Sequence, residues 1–224
     1  IACALLFAAA PLAASCPPSF AGANTAFFYN AVPGTGACSL PWTTEEHVVA
    51  INLPQWDGAA HCGECLRVTG PLGVTVVKVV EKCPECPSGA LDLSREAFTA
   101  IADPLSASAL VQWERIECPV SGNITYDFQN SSQSFLSLQP RNHRHGVQSI
   151  SILNNGGYVP MVRSDNNRFI LASGTGSPGA FQIRVTSSAG EVLEQTFPFI
   201  PEGTVEGNNQ FTPCSAELFR NGFE

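Results

Sequence analysis

Two groups of residues in this chain have the types and spacing to do chemistry. The stretch CGECLRVTGPLGVTVVKVVEKCPEC, residues 62–86, places Cys62-x₂-Cys65 seventeen residues ahead of Cys83-x₂-Cys86. Four thiolates at that spacing can meet tetrahedrally around one zinc ion, and two halves of a disulfide framework are the other reading. Shortly after it, Asp92 stands between Leu91 and Leu93, just ahead of a helix signature. One reading of Asp92 is a helix-capping carboxylate held by backbone N–H groups. The other is an acid in a polysaccharide groove, where a partly desolvated carboxyl bonds sugar hydroxyls or donates a proton. Glu81 closes the run VTVVKVVE. It is either a solvated strand end or a second acid close enough to raise a proton affinity by like-charge repulsion.

The context of the cysteines decides between metal and disulfides. IACALLFAAAPLAASC is apolar and uncharged from Ile1 to Ala14 and ends in small residues, the pattern of the apolar region and cleavage zone of an export signal over residues 1–15. Removing that segment takes Cys3 with it and leaves eight cysteines, Cys16, Cys38, Cys62, Cys65, Cys83, Cys86, Cys118 and Cys214. An even number in an oxidising compartment favours disulfides, and the β-branched run between the two pairs reads as a buried strand, not as a zinc knuckle. No metal and no cofactor is expected. The expectation is a secreted, extracellular protein.

Charge narrows the partners. Net charge is −8, and residues 19–118 hold five Lys/Arg against eleven Asp/Glu. That acidic first half excludes nucleic acid as a partner and disfavours anionic polymers such as pectate.

The elements that must position these residues are mostly strands. TAFFYN (25–30), EHVVAINL (46–53), CLRVTG (65–70), VTVVKVVE (74–81) and ALVQWERIEC (109–118) fill the first half. One helix interrupts them in LSREAFTAIADP, with Ser94 as N-cap and Pro104 past the end. After the connector PVSGN the chain looks all-β, with roughly eight short strands and hairpin signals at NNGG and SSAG. The expected organisation is a barrel-like domain over 20–118, a β-sandwich over 123–211 and a tail over 212–224. Trp113 reads as core. Trp42 and Trp56 sit in loop-like segments able to line a groove. Arg141, His143, Arg144 and His145 form a basic cluster, read either as a solvated loop or as a contact for acidic glycans.

GAC, CGECLRVTGP, SGALDLSREAFTAIA, QWERIECPVSGNITY, QPRNH and NNQF stand in an order that resembles microbial expansins across residues 22–211. The resemblance implies a six-stranded double-psi β-barrel followed by an immunoglobulin-like β-sandwich of the carbohydrate-binding-module type. It implies a monomer that loosens plant cell-wall polysaccharide junctions without hydrolysis, on cellulose, xyloglucan or xylan, with peptidoglycan as a further polymer. By position, Asp92 matches the family's essential carboxylate, Glu81 stands where Asp is common, and Tyr29 and Phe27 fall in the groove segment, with Phe27 replacing a hydroxyl residue. The second-domain positions that bacterial expansins fill with three flat aromatics read Ser134, Phe135 and Asn166, leaving Phe135 either as a sugar contact or as core. The family's pairing implies disulfides Cys38–Cys62 and Cys65–Cys118, then Cys83–Cys86 as a local pair, with Cys16 left to Cys214.

Three functions compete: non-hydrolytic wall loosening, a lytic transglycosylase or weak endoglucanase on the same barrel, and a pure wall-binding module. Inverting hydrolysis needs a base across from its acid. Related endoglucanases place that base near the first strand, where this chain offers Tyr29 and Asn30. Non-enzymatic loosening is therefore the preferred expectation.

Overall fold

The computed structural model describes residues 16–34, 36–176 and 179–214. The expected export signal over 1–15, and the tail beyond residue 214, lie outside them. Six strands close a mixed barrel in the order β1-β5-β2-β4-β3-β6: β1 Ala21–Tyr29, β2 Val48–Asn52, β3 Cys65–Gly70, β4 Gly73–Cys83, β5 Leu91–Ser94 and β6 Ala109–Ile116. Two of its pairings, β1–β5 and β2–β4, are parallel, and the others are antiparallel. The short helix α1, Arg95–Thr99, starts at Ser94, whose Oγ accepts from the Ala97 N–H at 3.3 Å.

Alternation along the strands fills the barrel. Val49 and Ile51 of β2, Val77 and Val79 of β4, and Leu91 and Leu93 of β5 point inward and pack with Phe98, Ile101 and Trp113. Each fully buried aliphatic or aromatic side chain contributes roughly 1.5–3 kcal/mol. Trp113 donates from Nε1 to the Gly89 carbonyl at 2.8 Å.

Among the described residues nine strands follow, β7 Thr125–Phe128, β8 Leu136–Arg141, β9 Val147–Asn154, β10 Gly157–Pro160, β11 Val162–Arg163, β12 Phe169–Leu171, β13 Phe181–Ser187, β14 Val192–Phe197 and β15 Gly203–Glu206, in two facing sheets of order β10-β9-β13-β14 and β11-β12-β8-β7-β15. Tyr126, Phe128, Leu138, Phe169, Ile183 and Phe197 fill the space between them. Disulfides join Cys38 to Cys62, Cys65 to Cys118, Cys83 to Cys86 and Cys16 to Cys214.

Barrel and sandwich meet across a buried polar seam. The Gln139 amide donates to the Cys38 carbonyl at 2.9 Å, and Arg163 donates to the Ala59 carbonyl at 3.1 Å. Behind them Glu64, 3% exposed, accepts from His61 at 2.7 Å and Arg115 at 2.8 Å. Burial pushes the Glu64 carboxyl up, but these two partners outweigh it and hold it below the usual range. Gly146 of the sandwich abuts Glu64 so closely that a Cβ there would overlap Oε1.

This seam corrects the reading of the basic cluster. His143 and His145 are buried, and a solvated loop does not describe them. The His143 ring bonds the His145 carbonyl at 2.9 Å, and burial lowers its pKa to about 4, against the opposing pull of Glu64. Arg141 pairs with Asp127, and Arg144 donates to the Phe211 carbonyl. Trp42 and Trp56, in segments able to line a groove, are buried as well, at 8% and 4% exposure. Trp42 packs over Val48 and Val80, and Trp56 joins the barrel core.

Candidate functional site

Four residues from four adjacent strands form one row on the outside of the barrel. Phe27 of β1 is level with Asp92 of β5, Asp92 with Ala50 of β2, and Ala50 with Glu81 of β4. Residues directly opposite on neighbouring strands share a face, and the residues next to them in sequence point into the core. Strict alternation after Val77 and Val79 would turn Glu81 inward. A register shift between Val49 and Ala50 leaves Val80 as an extra residue, and that bulge aims Glu81 outward. Val80 itself joins Trp42 and Val48 in a cluster outside the barrel wall.

Ala50 keeps the space between the two acids low. Around it Cys83, Cys86 and Ala90 form a small-residue floor, with Tyr29 packed against it. The Cys83–Cys86 disulfide closes a tight loop that carries Glu85.

The electrostatics centre on Asp92. Its Oδ1 is buried without a hydrogen-bond partner among the described residues. Burial, then the nearby charge of Glu85, raises its pKa to about 6. Of the two readings of Glu81, a solvated strand end or a like-charged neighbour of Asp92, the second is not what raises Asp92, since the coupling comes from Glu85. Glu81 acts on Tyr29, whose phenol is pushed up by burial, then by Glu81 and Asp92. One Glu81 oxygen accepts from the Lys82 N–H at 2.9 Å. Glu85 was overlooked because exposed charges in turns are common. The available signal was its place inside Cys-x₂-Cys, where a covalent ring leaves the loop few conformations.

Phe27 is 41% exposed, a flat apolar ring one strand away from the carboxyl. The cations nearest this face are engaged by rings, with Arg95 stacked over Phe28 at 4.2 Å and Lys82 over Trp56 at 5.7 Å. The row thus offers an acid that both donates and accepts near pH 6, a phenol, a low floor and a flat ring. That set suits a chain of hydroxyl-rich, flat-faced rings.

On the sandwich, Phe135 lies in a tight turn bridged to Ser132 and is half-buried, outside the core cluster. Ser134 and Asn166 are exposed, and Asn166 is bonded to Ser164 at 2.6 Å. The outer face of the five-stranded sheet carries a polar lattice in which Arg168 donates to Asp127 and Ser137. One grouping of metal-type donors, Glu117, His145 and Cys214, occurs among the described residues. Its sulfur is in the disulfide to Cys16, and His145 Nε2 lies 2.9 Å from the Thr212 carbonyl. The donor set therefore fits a structural role.

No family model matches the chain. Among curated proteins, Expansin-YoaJ of Bacillus subtilis is 35% identical over 183 residues, covering 76% of this chain and 78% of that protein. Expansin-like protein 7 of Dictyostelium discoideum is 28% identical over 83% of this chain but only 35% of its own length. Among solved structures, the apo expansin of Clavibacter michiganensis superposes with a TM-score of 0.80 at 26% identity, covering 87% of this chain and 99% of that one. An Asp-to-Asn mutant of the Clavibacter expansin, solved in complex with cellohexaose, matches with the same TM-score at 25% identity. Identity and fold agree over most of both chains: this protein belongs to the expansin family.

Proposed function

We propose that this chain is a secreted wall-loosening protein that grips a cellulose-type glucan along the Phe27–Asp92–Glu81 row and separates non-covalent junctions without cutting them. The observation that carries this reading is the half-buried Asp92 carboxyl with an unpartnered oxygen, set beside an exposed ring on an otherwise low surface. A buried polar atom lacking a partner costs about 1–3 kcal/mol, and a sugar hydroxyl arriving at Asp92 recovers part of it. The cellohexaose bound by the Clavibacter relative supports a β-glucan as the class of polymer. The four disulfides support an oxidising, extracellular destination. Phe27 stacks on the sugar's C–H face and the Tyr29 phenol offers a further hydroxyl beside Asp92, while Phe135 is a minor contact at the sandwich edge.

A second reading rests on one observation. A carboxyl with a pKa near 6 is a competent proton donor, and Glu81 is a second acid across Ala50. Against hydrolysis, the phenol coupled to both acids is Tyr29, a poor base for activating water. The test pairs two readouts, creep of wall strips or cellulose paper and release of soluble sugar or muropeptides, for the protein and Asp92→Asn. Creep without release, lost in the variant, is expected. Release that depends on Asp92 would make the protein a lytic enzyme. Wall binding with neither effect would leave a binding module.

A further inference from the structure

A cleft of about 600 Å³ opens where barrel and sandwich meet, lined by residues of both and away from the Asp92 row. That volume lies within the ~300–1,000 Å³ of small-molecule sites, which favour domain interfaces. Its position separates it from the groove. On β4 it takes Lys78, and Glu81 lies beyond the bulge. On the sandwich it takes Arg141, the last residue of β8, whereas Phe135 precedes the first.

The cleft is built as a pit. Gly63, His143 and the Cys65–Cys118 disulfide are buried at its lining, while Pro41, Val76 and Pro119 are exposed apolar walls. Its charges are spent on one another. Lys78 pairs with Glu46, and Arg141 with Asp127 at 2.9 Å. Burial keeps His143 neutral at physiological pH. The remaining polar groups are the hydroxyls of Thr125, Thr204 and Ser121, the exposed Asn142, and the His47 ring, whose Nδ1 is bonded to Thr75 Oγ1 at 2.6 Å. Thr204 Oγ1 donates to Asp127 at 2.9 Å and so presents its lone pairs outward.

Apolar walls with neutral hydroxyls and compensated charges match an uncharged sugar ring, whose C–H faces pack on Pro and Val and whose hydroxyls meet the threonines. A pit with a buried end admits a terminal or branch residue in preference to a chain passing through. We propose that this interdomain cleft is a second carbohydrate site, which takes the neutral sugar branch of a matrix glycan independently of the Asp92 groove. It rests on the reading that the polymer is a glycan.

The test is NMR titration of the full protein, Val120→Trp and Asp92→Asn with arabinose-branched xylan oligosaccharides, linear xylan oligosaccharides of equal backbone length, and cellohexaose. Val120 is half-buried on the cleft rim, outside every strand, and an indole there plugs the pit. The branched probe is expected to shift Val76 and Thr125 resonances and to bind about fivefold more tightly than the linear one, what a net hydrogen bond contributes. Val120→Trp removes that preference and leaves the cellohexaose shifts at Tyr29 intact, whereas Asp92→Asn leaves the preference unchanged. Equal affinity for branched and linear probes, or a preference that survives Val120→Trp, would overturn the second site while leaving the groove standing. Tighter, salt-sensitive binding of a glucuronate-branched probe would overturn the neutral class. Absence of every shift would overturn groove and cleft together.

Discussion

Replacing Asp92 by Asn changes one atom and removes a charge from a site that resists holding it. Burial and Glu85 raise the Asp92 pKa from an ordinary 3.8 to about 6. A shift of about two units corresponds to at most about 3 kcal/mol at 1.36 kcal/mol per unit. The carboxyl is half-open to water, and screening reduces this to about 1–2 kcal/mol. Between pH 4 and 6 the folded chain binds more protons than the unfolded chain, so this group lowers stability as pH rises and the full cost applies above pH 6. Asp92→Asn is therefore expected to be more stable than the parent by about 1–2 kcal/mol at pH 7.5 and equal to it at pH 3.5. For a chain of this size that is about 3–6 °C in Tm. Scanning calorimetry at the two pH values, at fixed ionic strength, checks it. A difference that is the same at both pH values, or a variant less stable at pH 7.5, would refute the reasoning. Loss of creep together with gained stability would mark Asp92 as held for function at a thermodynamic cost.

Glu85→Gln removes the charge that reinforces Asp92's raised pKa, so the Asp92 carboxyl resonance, followed by ¹³C NMR, is expected to titrate at lower pH than in the parent. Gly146→Ala drives a methyl against Glu64, a carboxylate pinned by His61 and Arg115. A loss of about 2–3 kcal/mol in denaturant unfolding is expected, as for other overpacked buried sites. His143 has its pKa lowered from 6.5 to about 4, so the unfolded chain binds the extra proton between those values. Stability is then lost as pH falls from 6.5 to 4, by up to about 3 kcal/mol, and His143→Gln should flatten that acid limb whatever it does to the Tm at pH 7.

The strands that fill the barrel were legible because β-branched runs bounded by turn residues carry their own signal. CLRVTG was read as 65–70, the bounds of β3, and Ser94 caps α1 as the sequence indicates. The strand that bears Asp92 was not legible. LDLS is four residues long and runs directly into the helix, so in sequence it reads as a helix approach. Its strand character comes from β1 and β2 on either side, contacts that local sequence does not encode. The bulge at Val80 was hidden for the same reason, since VTVVKVVE sets its valines in adjacent pairs and shows no clean period of two to break. QPRNHRHG was read as a basic cluster because charge is visible in sequence and the barrel surface that buries it is not.

The Cys16–Cys214 bond gives the molecule a second covalent link between its halves. It ties the segment entering β1 to the segment that follows β15, 198 residues apart, while Cys118 and the connector after it supply the other link. In chain-entropy terms, closing a loop that long is worth roughly 5 kcal/mol. A load applied to the barrel and another to the sandwich is thus shared by two tethers. Two bodies pinned at two places cannot be drawn apart in line, whereas a single linker would let them separate. The buried seam of Gln139 and Arg163 against the barrel lies between the pins, so tethers and seam together resist both separation and rotation.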